Sequence, residues 1–277
     1  MATDLLDDRL TRPVTGRAPL ALVLRDPGPG RSGTDVDWSR WYLTDEEDMG
    51  EGGEQDCINY DLKSSLREWA RERRWQRVHI GHDQFFAWRE DHPLVRVSPD
   101  VYLYDDPPPR PLPKMWQTWL PEHHEPRFAV EVVSEEWQKD HDDNPLKYAQ
   151  LGTSELVVFD PEAAAGRTRS KRRVALQVFR RAPDGAFVEV YKGAGPVPAQ
   201  ELDGYLVVQR DGDAVSLRLA RDSAGRDIVP TENEAAALAR SERDAARSER
   251  DEQRAARDEA ERKLAAALAE LERLRGE

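Results

Sequence analysis

Glu131 is a carboxylate inside an otherwise apolar run, Phe128 to Val133, where it stands between Val130 and Val132. Burying an ionised carboxylate is costly unless it is paired or bound to metal, so a glutamate there asks for a chemical reason. Two other residues invite the same question. Asp100 follows Pro99 at the end of Ser98-Pro99-Asp100, and Lys147 opens Lys147-Tyr148-Ala149 just beyond Pro145. Each alone has a plain structural explanation: an aspartate after proline caps a turn, and a lysine on a surface helix extends its head into water. Together with Glu131 they form a set suited to phosphodiester hydrolysis. That reaction needs charge on a pentacoordinate phosphorus neutralised and hydroxide generated near neutral pH, tasks that a hard divalent cation on carboxylates performs well.

Around these residues the order runs Ser98-Pro99-Asp100, Glu131-Val132-Val133-Ser134, Lys147-Tyr148-Ala149, then Glu155-Leu156-Val157-Val158-Phe159-Asp160-Pro161. The segments resemble the signature of the Uma-two family of restriction endonuclease-like proteins, whose fold is that of the PD-(D/E)XK nucleases. The resemblance covers roughly residues 36–225. It implies a mixed α/β domain, with a β-sheet flanked by helices, and a Mg- or Mn-dependent endonuclease hydrolysing DNA ester bonds. It also implies that Asp100 and Glu131 hold the metal, with Glu54 from the first helix region as a further ligand, and that Lys147 orients the nucleophile and stabilises transition-state charge. The nuclease pattern often has lysine two residues after the strand glutamate, where this chain has Val133. Many family members place it instead on the following helix, at the position of Asn144; Lys147 lies three residues later, about one turn onward.

Composition limits the alternatives. The net charge is −13, which counts against tight, non-specific DNA binding but leaves room for a local basic groove. Arg67, Arg71, Arg73, Arg74 and Arg77 offer one. A nuclease fold retained as a DNA- or protein-binding module is therefore the competing reading, and a third makes the C-terminal tail the functional element, a device for homo-oligomerisation or partner docking. The single cysteine, Cys57, excludes an intramolecular disulfide and reads as a small buried hydrophobe. No apolar run approaches a membrane span, and the acidic N-terminus lacks the pattern of a signal peptide, so a soluble, cytoplasmic protein is expected.

The positioning elements follow from periodicity. Residues 1–35, rich in Pro, Gly and Asp, read as a flexible lead-in to a domain spanning 36–230. Ile58, Leu62, Leu66, Trp69 and Ala70 recur at helical steps from Gln55 to about Arg73. Val78–Trp88 and Leu94–Tyr104 read as paired strands, and 105–126 as a proline-stiffened excursion outside the core. A buried strand over Phe128–Val133, a helix over Pro145–Leu151 and a strand over Leu156–Phe159 come next, then four short strands at meander spacing. Asp140, Asp142 and Asp143 read as the acidic first turn of the helix. The histidines at 79, 82, 123 and 124 read as structural or solvated, and the tryptophans, Trp116 among them, as core or cleft walls. After Pro230, Thr231 and Glu234 form a capping box for a charged helix over 231–277. Its seam of Ala260, Leu264, Ala267, Leu271 and Leu274 suits a coiled coil, whereas Arg243, Arg250, Gln253 and Arg257 occupy the same seam earlier.

Overall fold

The computed structural model describes residues 53–134 and 137–275; the expected lead-in, residues 1–35, lies outside them. The chain divides into two units with the boundary after Thr231. The first is a mixed α/β domain of the expected class. Helix α1, Gly53–Glu72, buries Ile58, Leu62, Leu66 and Trp69 on one face, as their three- and four-residue spacing requires. Strands β1 (Val78–Gly81), β2 (Phe85–Ala87), β3 (Arg96–Val97), β4 (Val101–Asp105), β5 (Met115–Gln117) and β6 (Phe128–Val132) follow. A π-helical turn, Lys139–Asp143, leads into α2, Asn144–Leu151, which carries the chain to β7, Glu155–Phe159. Next come α3 (Pro161–Ala164), β8 (Leu176–Arg181) and β9 (Phe187–Gly193).

The main sheet has the order β1-β4-β6-β7-β8-β9. Only β6 and β7 are parallel; every other neighbouring pair is antiparallel. A parallel pair needs a crossover, and the π turn with α2 supplies it. Strands β6 and β7 are buried on both faces, which accounts for their nearly continuous apolar sequence. Phe128, Val130 and Val132 pack with α1, while Ala129 and Val133 pack on the other side with Tyr148 and Leu151 of α2. Glu131 has the parity of the α2 side.

Strands β8 and β9 extend the main sheet as a meander, but β10 (Val197–Ala199), β11 (Gly204–Asp211) and β12 (Ala214–Ala220) form a separate three-stranded sheet. The Trp69 indole of α1 ties this sheet to the first by donating to the Leu202 carbonyl at 2.7 Å. The second unit is a single helix, α4, Glu232–Arg275, on which Leu238, Leu264, Leu268 and Leu271 are exposed.

Three expectations are corrected. The proline-rich excursion over 105–126 contains a core element: β5 pairs in parallel with β2, and Trp116 is fully buried, stacked on Tyr104 at 4.0 Å between centroids and donating to the Tyr102 hydroxyl at 3.2 Å. The prolines fix the path of the chain while the aromatic residue between them supplies the apolar area. Cys57 is exposed on α1, since its neighbour Ile58 takes the inward position. Asp140, Asp142 and Asp143 all lie in the π turn, Asp143 at the N-cap position of α2 with no side-chain capping bond, so none belongs to the helix's first turn, and Asp140 and Asp143 are buried.

If Trp116 anchors the second core, Trp116→Ala should cost about 3–5 kcal/mol of unfolding free energy in urea denaturation. A loss below about 1 kcal/mol would place the segment outside the core, as its prolines suggest.

Candidate active site

The β4/β6 ladder pairs Val101 with Val130 and Tyr102 with Ala129. One step further out, the register sets Asp100 opposite Glu131, on the face shared by Tyr102 and Ala129. Directly opposed residues of an antiparallel pair have Cβ atoms roughly 4.5–5.5 Å apart, so backbone pairing alone makes these carboxylates neighbours. Both are buried.

Each carboxylate is held by specific donors. Asp100 accepts from the Val132 backbone N–H at 2.6 Å on one oxygen, and from Gln55 Nε2 at 2.7 Å and Asn59 Nδ2 at 3.4 Å on the other. The first turns of α1 thereby reach the sheet. Glu131 accepts a short hydrogen bond from the Tyr148 hydroxyl. Asp140 accepts from the Ser134 N–H at 2.9 Å and hydroxyl at 3.1 Å, and from Asn144 Nδ2 at 3.2 Å. Lys147, one residue before Tyr148, is only 3% exposed.

The electrostatics are those of charges confined away from water. Burial pushes Asp100 up to about 7, with a smaller push from Asp140, against the hydrogen bonds from Val132 and Gln55. Burial also raises Glu131 well above the ordinary carboxylate range, and repulsion from Asp100 and Asp140 adds to it. Burial brings Lys147 down to about 8, helped by the like charge of Lys139 and opposed by Asp143, Glu131 and Asp140. The Tyr148 phenol is driven upward by burial and by the Glu131 charge, so it stays a hydrogen-bond donor. Carboxyls shifted up beside an amine shifted down are the arrangement expected where proton and charge transfer take place.

Of the residues named from sequence, Asp100 and Glu131 are brought together by the strand register, and the buried Lys147 lies within reach of the Glu131 charge. Glu54 does not join them. Its carboxylate is exposed and takes a hydrogen bond from Arg167 at 2.8 Å, while its neighbour Gln55 turns inward to Asp100. Asp140 and Tyr148 enter the cluster without having been assigned a role, as do Gln55 and Asn59.

Beside the cluster, at the C-terminal end of β7, lies a second polar group. Asp160 caps α3 by accepting from the Ala163 N–H at 2.9 Å. Burial works to raise its pKa, but hydrogen bonds from His141 at 3.0 Å and from Arg173, bidentate at 2.7 Å, bring it down to about 2. His141 is the residue after Asp140, and its other ring nitrogen faces Gln177. This network fixes the π turn to the sheet.

Among the described residues no three acidic, histidine or cysteine side chains form a ready-made metal cage. Magnesium does not require one: it keeps several waters and is commonly held by one or two carboxylates together with substrate phosphate. The hard oxygens of Asp100 and Glu131, whose mutual repulsion a divalent charge would relieve, fit that pattern.

The fold and site thus define a mixed-sheet α/β domain with an acidic cluster at the end of its central strands. The model of the Uma2 family, described as "Putative restriction endonuclease", matches residues 41–201, and the chain belongs to this family. No curated protein matches it. Among solved structures it is similar to "a putative nuclease belonging to DUF820 from Anabaena variabilis ATCC 29413", with 14% identity over 55% of this chain and 75% of that one and a TM-score of 0.38. No helix among the described residues is long and apolar enough to cross a membrane.

The raised Asp100 has a measurable consequence. An unfolded aspartate titrates near about 4 and the folded one at about 7. The stability associated with the protonated form is therefore complete below about pH 4 and is lost as pH rises through about 7. In the presence of EDTA, Asp100→Asn should gain stability relative to the parent as pH goes from 4 to 8, read by thermal unfolding. Parallel pH profiles for the two proteins would show that Asp100 bears no such burden.

Proposed function

We propose that the protein is a divalent-cation-dependent endonuclease that hydrolyses DNA phosphodiester bonds. The observation that carries this reading is the convergence of two buried, mutually repelling carboxylates, Asp100 and Glu131, with a buried ammonium, Lys147. Asp100 and Glu131 would hold magnesium or manganese, which would supply Lewis acidity toward the phosphoryl group and a water of lowered pKa. Tyr148 fixes the Glu131 carboxylate, and Val132, Gln55 and Asn59 fix that of Asp100, so neither has to reorganise during the reaction. Burial lowers the pKa of Lys147 to about 8, against the pull of Asp143, Glu131 and Asp140. Lys147 orients the attacking water, which gives its proton to solvent as its oxygen bonds phosphorus, and stabilises charge on the phosphorane as the P–O bond to the leaving strand breaks; solvent protonates the released alkoxide. Asp140, buried next to both, adds to the field that keeps Lys147 charged.

A second reading, a nuclease fold retained for binding without cleavage, is favoured by Val133 and Asn144 at the two positions where the nuclease pattern places lysine. It is separated from the first by cleavage alone. Supercoiled plasmid incubated with the purified protein and Mg²⁺ or Mn²⁺ should be nicked. Glu131→Gln should abolish nicking, and Lys147→Gln should lower kcat by about 10²–10³-fold, the usual cost of removing one preorganised charge-stabilising group. Binding of DNA with no nicking under either metal would establish the second reading.

A further inference from the structure

The segment between α3 and β8 reads Gly166-Arg167-Thr168-Arg169-Ser170-Lys171-Arg172-Arg173, five cations and no acid within 167–173, in a chain of net charge −13. Its anchors connect it to the acidic cluster. Arg173 grips the buried Asp160 with both nitrogens of its fork. Arg172 reaches Asp142 of the π turn at 2.9 and 3.1 Å, with its guanidinium 5.4 Å from the Trp137 ring centroid. Arg167 reaches Glu54 at the start of α1 at 2.8 Å, one residue before Gln55, which bonds Asp100. The loop is therefore tied to both elements that flank the carboxylates, the π turn bearing Asp140 and the first turn of α1.

Between these anchors Arg169 and Lys171 are exposed, and among the described residues neither pairs with an acid. Side chain to backbone hydrogen bonds stiffen the loop: the Ser170 N–H donates to Thr168 Oγ1 at 3.2 Å and the Arg172 N–H to Ser170 Oγ at 3.3 Å. The arginine run over 67–77 that sequence offered as a basic groove is anchored away from the carboxylates, to none of the acids of the π turn or the first turn of α1. Arg71 pairs with Glu68, Arg73 with Asp203 and Arg77 with Asp106, so much of its charge is neutralised locally. The Arg172 pair with Asp142 is itself open to exchange, because the guanidinium is 68% exposed and an exposed ion pair is worth at most about 1 kcal/mol.

We infer that the 167–173 loop is the phosphate-gripping rim of the site: Arg169 and Lys171 take backbone phosphates of the DNA flanking the scissile bond, and Arg172 leaves Asp142 to join them. The inference rests on the nuclease reading above and deepens it, since it names where an acidic protein holds a polyanion. Recognition of this kind reads charge and is independent of base sequence.

The test is fluorescence anisotropy of a labelled duplex across a salt series with Ca²⁺, comparing the full-length protein, Arg169→Gln/Lys171→Gln, and Arg74→Gln as a remote control. Each lost phosphate contact should flatten the slope of log K against log salt by about 0.9. The double variant is expected to lose about 2 from the slope and at least tenfold in affinity at low salt, while Arg74→Gln stays with the parent. A double variant with unchanged slope and affinity, in a parent protein that nicks plasmid, would overturn the inference and leave the nuclease reading standing. A parent that neither binds the duplex nor nicks plasmid would overturn both.

Discussion

Two acidic side chains on adjacent antiparallel strands, one register step beyond Val101 and Val130, are the constraint to which the rest of the domain responds. Backbone hydrogen bonding alone decides that Asp100 and Glu131 face each other, and the apolar packing on either side decides that they do so with little water. Two like charges in such a place repel strongly, because the low local dielectric that strengthens hydrogen bonds strengthens repulsion as well. The surroundings answer with donors. Val132, Gln55 and Asn59 converge on one carboxylate, Tyr148 on the other, and the buried Lys147 ammonium feels the Glu131 charge.

The supporting elements make sense in that light. The parallel pairing of β6 and β7 requires a crossover, and the crossover here passes through a π-helical turn set between helical residues 137–138 and α2. The wider turn lets Asp140 point back to Ser134 at the end of β6 while His141, the next residue, points to Asp160 at the end of β7. A single turn thus pins both strand ends. π-helical turns recur at functional sites for this reason: they re-aim side chains that a regular helix would send elsewhere. With α2 leaving the turn in this orientation, Lys147 and Tyr148 both come to the carboxylates. The basic loop beyond α3 is attached to the same turn through Arg172 and to the same strand end through Arg173, so the parts proposed to hold DNA and to cut it share a base.

Much of this was legible in the sequence. Glu131 stands out because an apolar strand makes a buried carboxylate conspicuous, and the helical spacing of Ile58, Leu62, Leu66 and Trp69 needs no tertiary information. What could not be read depended on geometry that spacing does not encode. The choice between Glu54 and Gln55 turns on about 100° of helix rotation, and the chemically more suggestive residue faces outward. Asp140 looked like a helix-start acid because three acids before a proline usually are, and only the π turn separates its role from that of Asp142. The strand Met115–Gln117 was concealed by its proline-rich surroundings, although Trp116 itself reads as a core or cleft-wall residue. The arginines of 67–77 and of 167–173 look alike as strings. Which acids they pair with distinguishes them: Arg73 reaches Asp203, whereas Arg172 and Arg173 reach Asp142 and Asp160 beside the carboxylates.

Cation binding coupled to proton release tests the central claim most directly. If burial holds Asp100 up at about 7, a divalent cation that binds its carboxylate must displace protons near pH 6.5. Calorimetric titration of Mn²⁺ in buffers of different ionisation enthalpy counts those protons. The expected result is saturable binding with net proton release in the parent protein and loss of both in Glu131→Gln. Absence of binding, or binding that releases no protons and survives Glu131→Gln, would contradict the assignment of these carboxylates as the cation site.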